Sequence, residues 1–291
     1  MVKKIVISVV IILIFILIFI LFKSSNNEFS YTPISYKICD NDSCIYLVGS
    51  IHIGDDRVDK ISNKIIKLYN KSNILAVELD INEINIDVSQ FMLENGSIDN
   101  YISEDLNQKL IDFSNEHILF SFDTLKYMKL GYIYDYISLM PYLEEGYIND
   151  GVDNYFINKA KEDNKEIISL ETYEEQLNLL LGYSNDFYIE NINYILDNYD
   201  EVKNDSINLY NVYLNGDIKE LENILENEKN VENQEFIKDM YDNRNINMTK
   251  KVEEFLLNND NVFMVVGCAH VIGDNGIIDS LKDKYEISLL K

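Results

Sequence analysis

The chain has little of what many binding chemistries rely on. Tryptophan is absent, proline occurs twice, and 291 residues hold only three cysteines and three histidines. Three cysteines allow at most one internal bridge, which excludes a densely stapled scaffold. Positive charge is also scarce. Lysine and arginine total 25 against 50 aspartates and glutamates, a formal net charge of −25. A field of that sign repels phosphate backbones and disfavours nucleic acid as a general partner. No segment recurs at a fixed solenoid period. After the first two dozen residues, no apolar run is long enough to cross a bilayer. What is there suits a packed core: hydrophobic content is 47%, and the length allows one large domain or two small ones.

The amino terminus carries the one long apolar run. Met1-Val2-Lys3-Lys4 precedes residues 5–22, which hold no charge and one polar residue, Ser8. As a helix that run spans ~27 Å, close to the hydrocarbon core of a membrane. Lys3 and Lys4 should stay cytoplasmic. A cleaved signal peptide competes, but the run is long for one, and Phe22-Lys23-Ser24-Ser25-Asn26-Asn27 offers no small-x-small cleavage site. The expectation is an uncleaved transmembrane anchor over 1–25, a polar tether over 26–35, and a domain over 36–291 held outside the cytoplasm. Cys39 and Cys44 flank the turn-rich Asp40-Asn41-Asp42-Ser43. Outside the cell they can pair across a hairpin, and two reduced thiols remain the alternative.

Hydrophobic periodicity gives the organisation. Residues 36–51 read as a hairpin, 55–71 as a helix with an apolar stripe, and 74–80 as a second strand. Strand, helix and strand in that order predict a right-handed parallel crossover. Residues 88–147 read as helical with breaks near Gly96, Gly131 and Pro141. A helix over 151–164 leads to a strand at 166–170. Helical pattern fills 173–258, then come a strand at 261–266, a helix at 276–284 and a last strand at 285–290. The fold class that results is α/β: a central, mostly parallel sheet with flanking helices and a large helical insertion as a cap.

Two of the three histidines close the same four-residue pattern, Gly49-Ser50-Ile51-His52 and Gly267-Cys268-Ala269-His270, each at the end of a strand-like run. With 11 glycines in 291 residues, chance puts Gly three places before a given His about 4% of the time. A strand ending in a glycine turn delivers a side chain to the carboxyl edge of a sheet, where open α/β proteins build their sites. Four strand ends present polar residues: His52, Glu78 with Asp80, Glu171, and His270. Two imidazoles and a carboxylate suit a divalent metal of the Zn, Mn or Co class, with a position left for water. Asp80 shares a strand face with Glu78 and can support it from behind. Glu171 can instead cap the helix that follows. Arg244, one of few arginines, can hold a substrate carboxylate or a developing oxyanion. Cys268 reads as a small residue in a tight turn, and His117 as structural.

The run Tyr46 to His52 followed by Val77-Glu78-Leu79-Asp80 resembles the opening of the TraB/GumN family, whose relatives include the Tiki proteins. The resemblance continues through Gly151-Val152-Asp153 with Ala160-Lys161, Leu170-Glu171-Thr172 with Gln176, Arg244-Asn245, and Gly267-Cys268-Ala269-His270. It covers nearly everything from about Tyr36 onward, in order. It implies a fold like the erythromycin esterase and ChaN group, and one site holding both G-x-x-H motifs, an acidic residue and an arginine. His52, Glu78, Arg244 and His270 inherit that role. It also implies a metal-dependent peptidase, with His52, His270 and Glu78 as metal ligands and a peptide or small protein as substrate. Two alternatives stand beside it: a metal-free, esterase-like hydrolase, and a non-catalytic surface protein that sequesters a peptide, as the family's association with peptide pheromone shutdown suggests.

Overall fold

The structure, a computed structural model, describes residues 29–290 apart from 81–83, 85, 232 and 259. The expected anchor at 5–22 lies outside the described residues. Among the described residues no helix is long and apolar enough to cross a membrane.

A compact unit begins at Tyr31. Tyr31 is buried, and its hydroxyl donates to the Val58 carbonyl at 2.9 Å. Strands β1 (Ser35–Cys39) and β2 (Cys44–Ser50) form the hairpin. Asp40 closes its turn by accepting from the amides of Asp42 and Ser43. Cys39 and Cys44 stand opposite each other in the ladder and are bridged. After the short strand β3 (Ile53–Gly54), the expected helix starts late and spans Asn63–Lys71. Val58 and Ile61 are buried as the stripe requires, but Asp55 captures the Arg57 amide and guanidinium and holds that stretch in a turn.

Strands β4 (Ile74–Val77), β6 (Glu166–Ser169), β7 (Val262–Gly267) and β8 (Glu286–Leu289) complete a six-stranded sheet of order β6-β4-β7-β2-β1-β8. A two-residue strand β5 (Asn149–Asp150) pairs with β3 apart from it. Only β1 runs against the rest of the sheet. Thus β2 and β4 are parallel, as the crossover predicts, but they are not neighbours, because β7 enters between them. Its five buried residues, Val262 to Val266, are the continuous apolar run expected of a strand covered on both faces.

The main core lies along this sheet. A second, mostly helical cluster includes Leu106, Leu110, Ile133, Ile137, Met140 and Ile192 and forms the cap. The breaks expected near Gly131 and Pro141 fall just outside them, at 126–129 and after Glu144. Both residues lie inside the helix Leu130–Glu144. Pro141 stands near its carboxyl end and removes one amide donor, while Gly131 admits the Leu180 carbonyl where a methyl group would come within 2.4 Å of it. His117 belongs to the cap, stacked on Phe113 and bonded to Glu144, away from the sheet edge.

Candidate active site

Four adjacent parallel strands, β6-β4-β7-β2, end on one edge of the sheet, and each delivers a polar group there. Glu171 follows β6, Glu78 follows β4, and β7 ends at Gly267 and turns into the short helix Cys268–Val271 that carries His270. Strand β2 ends at Ser50, two residues before His52. Ser50 stands directly opposite Gly267 in the parallel register.

Gly267 is the point of convergence. A methyl group at its α-carbon would meet Glu78 Oε1 at 3.2 Å, His270 Cδ2 at 3.4 Å and His52 Nε2 at 3.5 Å. The glycine therefore makes room for the other three groups. The first motif's glycine makes room for the second motif: a methyl group on Gly49 would lie 3.1 Å from the Cys268 α-carbon. His270 Nε2 stands 3.8 Å from Glu78 Oε1.

Each imidazole is held by its other nitrogen. Asn245, 1% exposed, donates its amide to the Asn275 carbonyl at 2.9 Å. Its Oδ1 must therefore accept, and it lies 2.7 Å from His270 Nδ1. That places the proton on Nδ1 and leaves the Nε2 lone pair facing Glu78. His52 Nδ1 stands 3.1 Å from Asp153 Oδ1, an ion-pair contact without the alignment of a full hydrogen bond. Asp153 is there because Gly151 caps the helix Val152–Glu162 directly against the His52 backbone, with the Val152 amide donating to the Ile51 carbonyl at 3.0 Å.

Arg244 opens the helix Asn243–Leu257, just after a π-helical turn, Lys238–Asp242, of the kind that often marks functional sites. Its fork is occupied. Nε and Nη2 donate to Glu171 at 2.6 and 2.9 Å, and Nη2 donates to Glu78 Oε2 at 2.6 Å. Glu78 Oε1 accepts the Gly267 amide at 2.6 Å. Arg244 thus holds carboxylates of the chain itself, where the sequence pattern suggested a substrate anion. Glu171 binds Arg244 and Gln176, and the helix cap is Thr172 with Glu175.

These partners set the protonation states. Desolvation works against the Glu78 charge, but the cationic His52, Arg244 and the Gly267 amide outweigh it and hold the carboxyl well below its usual range. Desolvation pushes His270 down to about 4 and keeps it neutral. His52 differs. Desolvation would lower it, yet the Asp153 carboxylate and Glu78 raise it to about 9. Its side chain retains 59% of its surface although it sits among many neighbours, as expected on the floor of an open cleft.

Asp80 stands outside this group. Strand β4 ends at Val77, so alternation no longer governs residues 78–80, and Asp80 turns to Lys161 at 2.9 Å. Cys268 fits its tight turn, and desolvation raises its thiol to about 12. Asp153 and Asn245 received no role from the sequence pattern. Their signal lay in position, two residues after Gly151 and one after Arg244.

Among the described residues, no three His, Cys, Asp or Glu side chains already stand around one point at coordinating distance. The donor set nonetheless suits a divalent metal. His270 Nε2 lies 3.8 Å from Glu78 Oε1, His52 Nε2 borders the same glycine, each Nδ1 faces a side-chain oxygen, and Glu78 and Glu171 share the Arg244 guanidinium while Asp153 faces His52. A metal ligand must be a neutral imidazole, and with His52 deprotonated a divalent cation would offset the remaining carboxylate charge.

Cavities flank the cluster on two sides. One, of about 300 Å³, is apolar and reaches under the helices Tyr199–Asn215 and Ile218–Val231. The other, of about 470 Å³, is lined by Glu78, Asp135, Asp153, Asn154 and Gln176. Ser50 and His52 border both.

Neither a curated protein nor a solved structure matches the chain. The model of the TraB/PrgY/gumN family matches residues 34–288, which takes in every residue of the cluster and all of the sheet except the last residue of β8. The chain belongs to the TraB/PrgY/gumN family.

Proposed function

We propose that the protein is a hydrolase of peptides, anchored in the cytoplasmic membrane by residues 5–22 with its domain outside, and that His52, His270 and Glu78 hold a divalent metal of the Zn, Mn or Co class. One observation carries this: two imidazoles, each with Nδ1 facing a side-chain oxygen, meet the buried Glu78 carboxylate at Gly267. Such a metal lowers the pKa of bound water and polarises a carbonyl. Asp153 and Asn245 orient the imidazoles. Arg244 and the Gly267 amide keep Glu78 ionised and immobile, and Glu171 positions Arg244 in turn. Burial of Glu78 and His270 keeps competing water off their inner sides. The Cys39–Cys44 bridge supports an oxidising compartment.

The test is metal analysis of the purified full chain, with hydrolysis of a mixed peptide pool followed by mass spectrometry before and after chelation. About one equivalent of metal and chelator-sensitive cleavage are expected. A second reading keeps the same residues without metal. It is favoured by the raised His52, whose imidazolium can donate a proton to a leaving amine. Cleavage that survives chelation selects it. Tight peptide binding with no cleavage selects a sequestering protein.

A further inference from the structure

The two cavities differ in character, and the polar cluster lies between them. On one side, Leu209, Leu221, Ile224, Leu225, Met240 and Ile272 wall the apolar cavity. Its size is at the low end for a ligand pocket and suits one side chain with its main chain. On the other side, Glu78, Asp135 and Asp153 contribute carboxylates, and no lysine or arginine among the described residues lines the cavity. Glu78 is matched by Arg244 and Asp153 by His52. Asp135, projecting from the cap helix Leu130–Glu144, is exposed to this cavity, and burial of its surroundings raises its carboxyl above the usual range.

At the seam stands Ser50. It is 2% exposed, it borders both cavities, and its hydroxyl has no hydrogen-bond partner among the described residues. A buried hydroxyl without a partner is costly, and the two cavities are where a partner can come from.

We infer that the cleft binds a peptide across the cluster, with an aliphatic or aromatic side chain in the apolar cavity and a cationic group in the carboxylate cavity. Ser50 hydrogen-bonds the main chain between them. The cationic group is a lysine or arginine side chain or the peptide's own amino terminus. The net charge of −25 draws such peptides toward the domain. This inference rests on the peptide-hydrolase reading for its position at the cluster, but it concerns recognition, which is measured separately from cleavage.

The experiment uses the full chain and short fluorescent peptides, with binding read by anisotropy and cleavage by mass spectrometry. The parent is an amino-acetylated peptide with Leu and Lys flanking a central bond. Three analogues replace Lys with norleucine, replace Leu with Ala, or remove Lys and free the amino terminus. The parent should bind on the order of tenfold more tightly than the norleucine and Ala analogues, and added salt should shrink only the Lys effect. Asp135→Asn should erase the preference for Lys and keep that for Leu. Ile224→Ala should do the reverse. Recovery of affinity by the free amino terminus assigns the carboxylate cavity to the end of the chain. Ser50→Ala should weaken parent and analogues by the same factor. Binding indifferent to both peptide substitutions, or a Lys preference that survives Asp135→Asn, overturns the inference. Selective binding without cleavage upholds it and refutes hydrolysis. Cleavage without selectivity does the opposite.

Discussion

Replacing Gly267 by alanine adds one methyl group to the centre of the polar cluster and removes no polar atom. Its backbone, at φ −48°, tolerates any residue, so the whole effect is steric. The methyl would lie 3.2 Å from Glu78 Oε1 and within 3.5 Å of both imidazoles. Glu78 has little room to retreat, because the Gly267 amide and Arg244 hold its two oxygens at 2.6 Å each. The groups must part by a few tenths of an ångström. Overpacking of this kind costs about 1–3 kcal/mol, too little to unfold a domain worth roughly 5–15 kcal/mol. Function is less tolerant, since such constellations work only within about 0.5 Å of their geometry. Turnover, or metal affinity by calorimetry, should fall by about 10- to 100-fold while urea unfolding shifts modestly. Wild-type turnover in a Gly267→Ala protein of reduced stability would refute the reasoning, because the glycine would then serve packing alone.

Gly151→Ala should be far more damaging to the fold, since its methyl would stand 2.0 Å from the Ile51 carbonyl oxygen and 2.4 Å from the His52 α-carbon, both main chain. A loss of at least ~3 kcal/mol is expected by urea titration, and a near-normal midpoint would contradict the contact. Stability should fall with acid: folded His270 stays neutral to about pH 4, whereas an unfolded His binds a proton near 6.5, so its contribution is present above 6.5 and disappears as pH drops toward 4. His270→Asn should flatten that limb by on the order of 2–3 kcal/mol, and an unchanged pH profile would place the effect elsewhere. Arg244→Lys cannot span Glu78 and Glu171 together, so it should cost about 2–3 kcal/mol and couple with Glu171→Gln in a double-mutant cycle; additive losses would show the pairs to be independent. Reducing the Cys39–Cys44 bridge, whose partners are five residues apart, should cost about 2 kcal/mol by loop entropy, and unfolding with and without reductant measures it.

The six strands of the main sheet were legible because each holds a short apolar run bounded by turn residues, and β7 reads as buried without ambiguity; the two-residue β3 and β5 have no such run and were not. The G-x-x-H pattern marked the sheet edge for the same reason: strand, glycine and imidazole are local. What could not be read was non-local. Nothing in residues 45–80 says that β7 separates β2 from β4, since that pairing is made with a strand nearly two hundred residues away. Arg244 was identified as a cation near the site, but its partners depend on how the helix Asn243–Leu257 meets the strand ends. Asp80 misled because two-residue alternation holds only while a strand lasts. Gly131 and Pro141 marked the ends of one helix to within a few residues, because both residues weaken a helix interior.

The central position of β7 also fixes the order in which the molecule can be completed. As the chain emerges from its amino end, β1 and β2 can close their hairpin and β4 can meet β6, yet these two pieces share no ladder until β7 arrives. Until residue 267 has been made, the sheet is split and the edges of β2 and β4 that β7 will fill stand open, a state that invites pairing with other chains. The strand that joins the halves also brings the second glycine and the second histidine. No shorter nascent chain therefore carries an assembled cluster, and whatever chemistry it performs begins only when the domain is whole.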